Sequence, residues 1–145
     1  MTILAFDGKI LAADRRSTTS WGSHDSVTKI WRHGDFLCGI SGKPAISLRM
    51  FEWWKAGQVP ADFPAEAAKE EEGTFIAISG AGVFQFTTGP YPVKIETAYP
   101  TWGGGRDFAS AAMHCGRNAY EAVELTCLLS VFCGNGIDTL TLPSK

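Results

Sequence analysis

The sequence predicts an α+β protein in which two antiparallel sheets pack face to face and helices cover their outer surfaces. Three observations lead there. The first two strands, Thr2 to Phe6 and Lys9 to Asp14, are apolar nearly throughout rather than alternating, the pattern of strands covered on both faces. The elements then run in the order strands, helix, strands, two helices, strand, which suits two layers of sheet with helices outside them. The chain has 145 residues, 45% hydrophobic and 19% charged, and shows no repeat, low-complexity tract or linker. A single domain over residues 1–145 with a sizeable core is therefore expected.

Taken in order, the first two strands meet at Asp7-Gly8, a strong hairpin signal. Strands are also expected over Ser26 to His33 and Phe36 to Ser41. Pro44 suits the first turn of a helix and Gly57 its stop, giving a helix from Pro44 to Ala56 whose Trp53-Trp54 pair reads as core or interface packing. The prolines between Gln58 and Pro64 mark a loop. Alanine and glutamate make Ala65 to Glu72 a short solvated helix, with Glu70-Glu71-Glu72 as a wet face. Strands return at Thr74 to Ser79 and Val83 to Thr87 around the Gly80-Ala81-Gly82 turn, then at Val93 to Glu96 and near Tyr99 to Trp102. Helices follow over Asp107 to Gly116 and Asn118 to Phe132, and Asp138 to Leu142 closes as a strand.

Composition narrows the functions. A net charge of −2 and the lack of a basic patch interleaved with aromatics give no electrostatic case for nucleic acid. The apolar start is broken at Asp7 and lacks a basic leader, and no run is long enough to span a bilayer, so a cytoplasmic protein is expected, with no membrane partner. Cys38, Cys115, Cys127 and Cys133 have no paired C-x-x-C spacing, and His24, His33 and His114 form no ligand cluster. Neither a metal nor a cofactor is expected, and the cysteines are expected to remain thiols.

Thr2 is the residue with chemistry to offer. Removal of Met1 would leave a threonine at the N-terminus, with a hydroxyl nucleophile and a free amine base on one residue. The amine, with an ordinary pKa of about 7.7–8.0, is poised to accept the hydroxyl proton near neutrality. Threonine is equally a favoured strand residue with no chemistry at all. The turn decides whether Asp14 can help, since a slip of one residue flips every side chain. A three-residue loop Asp7-Gly8-Lys9 sets Asp14 opposite Thr2 on one face. A two-residue Asp7-Gly8 turn points it away.

These blocks resemble proteasome β subunits and the bacterial HslV peptidase, which are N-terminal-nucleophile (Ntn) hydrolases. The resemblance rests on Thr2 to Phe6 with Leu11-Ala12-Ala13-Asp14-Arg15-Arg16-Ser17-Thr18, on Val27-Thr28-Lys29-Ile30-Trp31-Arg32, and on Phe36-Leu37-Cys38-Gly39-Ile40-Ser41-Gly42. Gly103-Gly104-Gly105-Arg106-Asp107-Phe108-Ala109, Ala119 to Cys133 and Ile137-Asp138-Thr139-Leu140 extend it through the C-terminal half. It implies a four-layer αββα Ntn-hydrolase sandwich and a catalytic set of Thr2, Asp14, Lys29 and Gly39. In that set Lys29 lowers neighbouring pKa values, Asp14 fixes Lys29, and the Gly39 N–H stabilises the oxyanion. Lys29 read on its own is an ordinary strand-end lysine, and Gly39 a residue that permits close strand packing.

Three positions depart from the family. Gly104 stands where a serine is usual, and Ser130 and Cys133 stand where an aspartate and a serine follow the next helix. Those groups support the terminal amine, so their loss weakens the base. The second long helix of the family is also shrunken here to Ala65 to Glu72.

The resemblance implies a threonine-type endopeptidase subunit of self-compartmentalised homo-oligomeric rings, cleaving unfolded polypeptide, with an ATP-dependent unfoldase as its candidate partner. The alternative is a catalytically weak or inactive structural Ntn-fold subunit, and an amidase acting on small substrates ranks third.

Overall fold

The computed structural model describes residues 2–69 and 73–143. Strands β1 (Ile3–Phe6) and β2 (Ile10–Asp14) form the first hairpin, and β3 (Arg16–Thr18) pairs with β4 (His24–Ser26) in a small ribbon beyond it. Next come β5 (Ile30–His33), β6 (Phe36–Gly42), the helix α1 (Pro44–Lys55), a 3-10 turn at Pro60–Asp62 and the short helix α2 (Ala65–Lys69). The second half holds β7 (Gly73–Ser79), β8 (Gly82–Phe86), β9 (Val93–Ile95), β10 (Thr101–Gly103), α3 (Arg106–His114), α4 (Ala119–Leu129) and β11 (Ile137–Thr141).

The strands assemble into a four-stranded sheet of order β10-β1-β2-β11 and a five-stranded sheet of order β5-β6-β7-β8-β9, antiparallel throughout. Alternation along β1 shows how the layers are built. Leu4 and Phe6 face inward with Leu11 and Ala13 to meet Ile30, Leu37, Ile76 and Ile78 of the other sheet. Ile3 and Ala5 face the opposite way, with Ala12, onto Ala109, Met113, Ala122 and Val123 of α3 and α4. On the far side, Cys38, Phe75, Ala77 and Phe86 meet Met50, Phe51, Trp53 and Trp54 of α1. The result is the expected four-layer αββα sandwich. Both faces of β1 and β2 are covered, which is why their sequence does not alternate.

Trp53 and Trp54 are buried core residues: Trp53 meets Phe63 and Phe86 edge-on, and Trp54 lies tilted against Phe75. Trp53 Nε1 donates to Val59 O at 2.8 Å and so secures the turn at Pro60–Asp62, a piece of structure inside the expected loop. Helix α4 starts on a reciprocal cap, with Asn118 Oδ1 accepting from Glu121 N at 2.8 Å and Glu121 Oε1 accepting from Asn118 N at 3.1 Å. The end of the second expected helix, Glu70 to Glu72, lies outside the described residues.

Two expectations change. The strand expected over Ser26 to His33 is broken: it ends as β4 at Ser26 and resumes as β5 at Ile30. Across the gap Val27 N donates to Arg15 O at 2.7 Å, and Lys29 is drawn inward by its side chain. The first hairpin also has neither of the loops expected. Its pairs are Phe6↔Leu11, Ala5↔Ala12 and Leu4↔Ala13, which centre the turn on Gly8 and Lys9. Asp7 fixes this turn, its Oδ1 accepting from Lys9 N at 2.9 Å and Ile10 N at 2.7 Å. Asp14 therefore stands across from Ile3 rather than Thr2.

Candidate active site

Asp14 at the end of β2 is fully buried and accepts four hydrogen bonds. Oδ1 takes Ile3 N–H at 3.1 Å and Lys29 Nζ at 2.8 Å, and Oδ2 takes Arg16 N–H at 3.2 Å and Gly134 N–H at 3.1 Å. A buried carboxylate supplied with four donors is satisfied as an anion. Lys29 is 5% exposed, and Nζ also donates to Arg16 O at 2.7 Å. The irregular segment between β4 and β5 makes this possible, since it lets Lys29 point across to β2 while its carbonyl still accepts from Ile40 N at 3.0 Å.

Above the ion pair lies a cleft of about 530 Å³ whose walls include Thr2, Arg16, Thr28, Lys29, Ser41, Gly42, Lys43, Gly103 and Gly104. Thr2 and Lys29 thus share one cavity, and Asp14 lies beneath it. The far wall is shaped by glycine. A side chain at Gly103, where φ is +101°, would begin 1.9 Å from Thr2 O, so only glycine lets β10 run beside the start of β1. Gly104 is exposed on this wall and offers no hydroxyl.

Of the four residues expected to act together, the structure brings Thr2, Asp14 and Lys29 into one neighbourhood and leaves Gly39 out of it. Gly39 lies within the central strand β6, paired with Ile30 on one side and Ile76 on the other. A Cβ there would come within 2.6 Å of Leu4 Cδ2 and 3.1 Å of Ile76 Cγ1. Its backbone is committed to the sheet, and its missing side chain makes room for Leu4 between the layers. The glycine of β6 that reaches the cleft is Gly42, at the strand end.

Ser130 and Cys133 sit just beyond α4. Ser130 Oγ accepts from Phe132 N at 3.3 Å, and Ser130 O accepts from Cys133 N at 3.4 Å. Cys133 is 1% exposed and packs with Ile3 and Val123. Burial, and then the nearby Asp14 carboxylate, push its thiol above the ordinary range, so it remains protonated near neutrality. Burial likewise lifts Cys127 to about 11, and Cys38 in the α1 layer to about 12.

Sequence reasoning missed Arg16. What it gives Lys29 is a backbone carbonyl, which no side-chain pattern reveals. Its only trace was its place directly after Asp14 and Arg15. Among the described residues no group of three or more His, Cys, Asp or Glu side chains could hold a metal ion.

The two face-to-face antiparallel sheets with helices outside them are the fold of HslV-like Ntn hydrolases. The chain is similar in structure to eukaryotic HslV from Trypanosoma brucei, with a TM-score of 0.72 and 18% identity over 99% of each chain. It is similar to BPH of Thiobacillus denitrificans, solved in complex with epoxomicin, with a TM-score of 0.73 and 17% identity over 99% of this chain and 100% of that one. Anbu from Hyphomicrobium sp. strain MC1, a Gly-1 mutant, gives a TM-score of 0.70 and 14% identity over 97% of this chain and 81% of that one. No protein-family model matches the sequence. No curated protein matches it either. At these identities the likeness is one of fold.

Proposed function

We propose that this chain is a threonine-type endopeptidase subunit, with Thr2 as nucleophile once Met1 is removed. The observation that carries the reading is the shared cleft: Thr2 and Lys29 both line it, and Asp14 Oδ1 bonds both Lys29 Nζ and the amide of the residue after Thr2. In this mechanism Thr2 Oγ attacks the scissile carbonyl and passes its proton to the Thr2 amine. The ammonium of Lys29 lowers the pKa of that amine, keeping it unprotonated near neutrality. The tetrahedral intermediate collapses with breakage of the C–N bond, the leaving amine takes the proton, and an ester to Thr2 remains. Water activated by the same amine then hydrolyses the ester. We assign the oxyanion donor to the Gly42 end of β6 instead of Gly39, because Gly42 lines the cleft and Gly39 is committed to the sheet.

Unfolded polypeptide is the substrate in this reading. The active form is a homo-oligomeric ring in the cytoplasm, and an ATP-dependent unfoldase is its candidate partner. The HslV-like fold supports this part, and no helix among the described residues is long and apolar enough to cross a membrane. A second reading, a weak or inactive structural subunit, is favoured by the bare Gly104 on the cleft wall and the protonated Cys133 thiol. Intact mass of protein made in its native cell, with peptidase assays of wild type and Thr2→Ala, decides between them. Loss of Met1 with activity abolished in Thr2→Ala supports the peptidase. Retained Met1 with equal activity in both proteins sinks it, and hydrolysis confined to small amides would replace it with the amidase.

A further inference from the structure

The loop after α4 is fastened to the residues that hold Lys29. Asn135 has a φ of +62° and directs its Oδ1 onto Arg16 Nε at 2.9 Å, while Arg16 Nη1 donates to Val131 O at 2.7 Å. Asn135 Nδ2 donates to Ser26 Oγ at 3.1 Å, joining β4 to the same loop. Arg15 N donates to Gly134 O at 3.0 Å, and Gly134 N reaches Asp14 Oδ2. Arg16 is therefore anchored through its guanidinium by this loop and through its N–H by Asp14, and its carbonyl is the second acceptor of Lys29.

We propose that Asn135 is a positioning residue. By holding the Arg16 guanidinium it keeps the Arg16 carbonyl on Lys29 Nζ, and so fixes the distance of the Lys29 charge from Thr2. The inference rests on the threonine-peptidase reading and extends it to a residue that does not line the cleft. A lysine ammonium held by two acceptors has one orientation, whereas one held by Asp14 alone can swing about it. The Coulomb effect on the Thr2 amine varies inversely with that distance. The other charged or titratable groups around Lys29 are Asp14 and Arg16 beside it, Lys43 on the cleft wall, and the thiols of Cys127 and Cys133 on the α4 side.

Asn135→Gly is the informative variant, because glycine keeps a positive φ without strain and deletes only the side chain. It is expected to lower kcat roughly tenfold, the rate equivalent of one charge-assisted hydrogen bond. KM should be unmoved, and the acid limb of the pH–kcat profile should shift to higher pH as the amine loses its neighbouring charge. Asn135→Asp keeps an oxygen for Arg16 and tolerates the same backbone, so it should restore kcat. Hydrogen exchange of the Lys29 ammonium, followed by nitrogen NMR, should be faster in Asn135→Gly than in wild type. A wild-type acid limb in Asn135→Gly overturns the proposal, even where thermal stability falls, and so does failure of Asn135→Asp to rescue. If Thr2→Ala proves as active as wild type, the peptidase reading fails on its own, and ammonium exchange alone then judges Asn135. Unchanged exchange overturns the clamp, and faster exchange supports it.

Discussion

Ile3 and Lys29 share one oxygen: Asp14 Oδ1 accepts the Ile3 amide at 3.1 Å and the Lys29 ammonium at 2.8 Å. The residue after the candidate nucleophile and the lysine beside it are thus positioned by the same buried atom. Asp14→Ala would leave Lys29 charged and buried without its counter-ion, at a cost of about 3–5 kcal/mol. Urea unfolding of Asp14→Ala, Lys29→Ala and the double variant should show strong coupling, the double being less unstable than the sum of the singles. Additive losses would mean that the pair is not a unit.

The packing around Gly39 separates structure from catalysis. Gly39→Ala keeps the N–H but adds a methyl against Leu4 and Ile76. The expected loss is about 1–3 kcal/mol of stability, the usual cost of overpacking, with kcat per folded molecule unchanged. Thermal melts and active-site-normalised kinetics check both halves. A large fall in kcat at unchanged stability would return the oxyanion donor to Gly39.

How much of this was legible in the sequence follows from which groups do the work. Strands β1, β2, β6 and β7 were visible because burial on both faces fills them with apolar residues. The ribbon of β3 and β4 was not, since Arg16–Thr18 and His24–Ser26 are short, polar and largely exposed. Thr2, Asp14 and Lys29 could be named from residue type and resemblance, yet their geometry depends on the turn at Gly8 and Lys9. There Asp7 overrode the Asp-Gly signal by accepting two backbone amides itself. Gly39 and Gly42 stand three positions apart in one strand, and only the three-dimensional path of β6 tells which one meets the cleft.

Asp7 leads to a further expectation. Its Oδ2 accepts Ala119 N–H at 2.8 Å at the start of α4, so one carboxylate secures both the first turn and the helix that covers it. Asp7→Ala removes the acceptor for three backbone amides and should cost about 1–3 kcal/mol. Asp7→Asn, which keeps an oxygen, should recover part of that loss in the same denaturation assay.

The thiols supply a pH prediction. Cys38 is lifted from 9.0 to about 12 by burial, and Cys127 to about 11. Raised acids stabilise the fold fully below their unfolded value, and the contribution is lost as pH climbs through the folded one. Stability should therefore decline between pH 9 and 12, and Cys38→Ala should flatten part of that slope. Near pH 8, alkylation read by mass spectrometry should mark the exposed Cys115 and spare Cys38 and Cys133 until the protein unfolds.

Gly104→Ser tests the gap in the cleft wall. The position is exposed, so a hydroxyl can be added without displacing core. In the peptidase reading kcat should rise while the melting temperature stays within a degree or so, as expected for surface changes within about 0.5 kcal/mol.

The tie between Ile3 and Asp14 also governs how this protein can be handled. Because the chain is pinned at its third residue and Thr2 already lines the cleft, any segment fused ahead of Thr2 must begin its path inside that cavity. In the peptidase reading an affinity tag at the front would occupy the space proposed for substrate as well as mask the amine. A tag placed after the last strand leaves both free, and that choice decides whether a purified sample can report on activity at all.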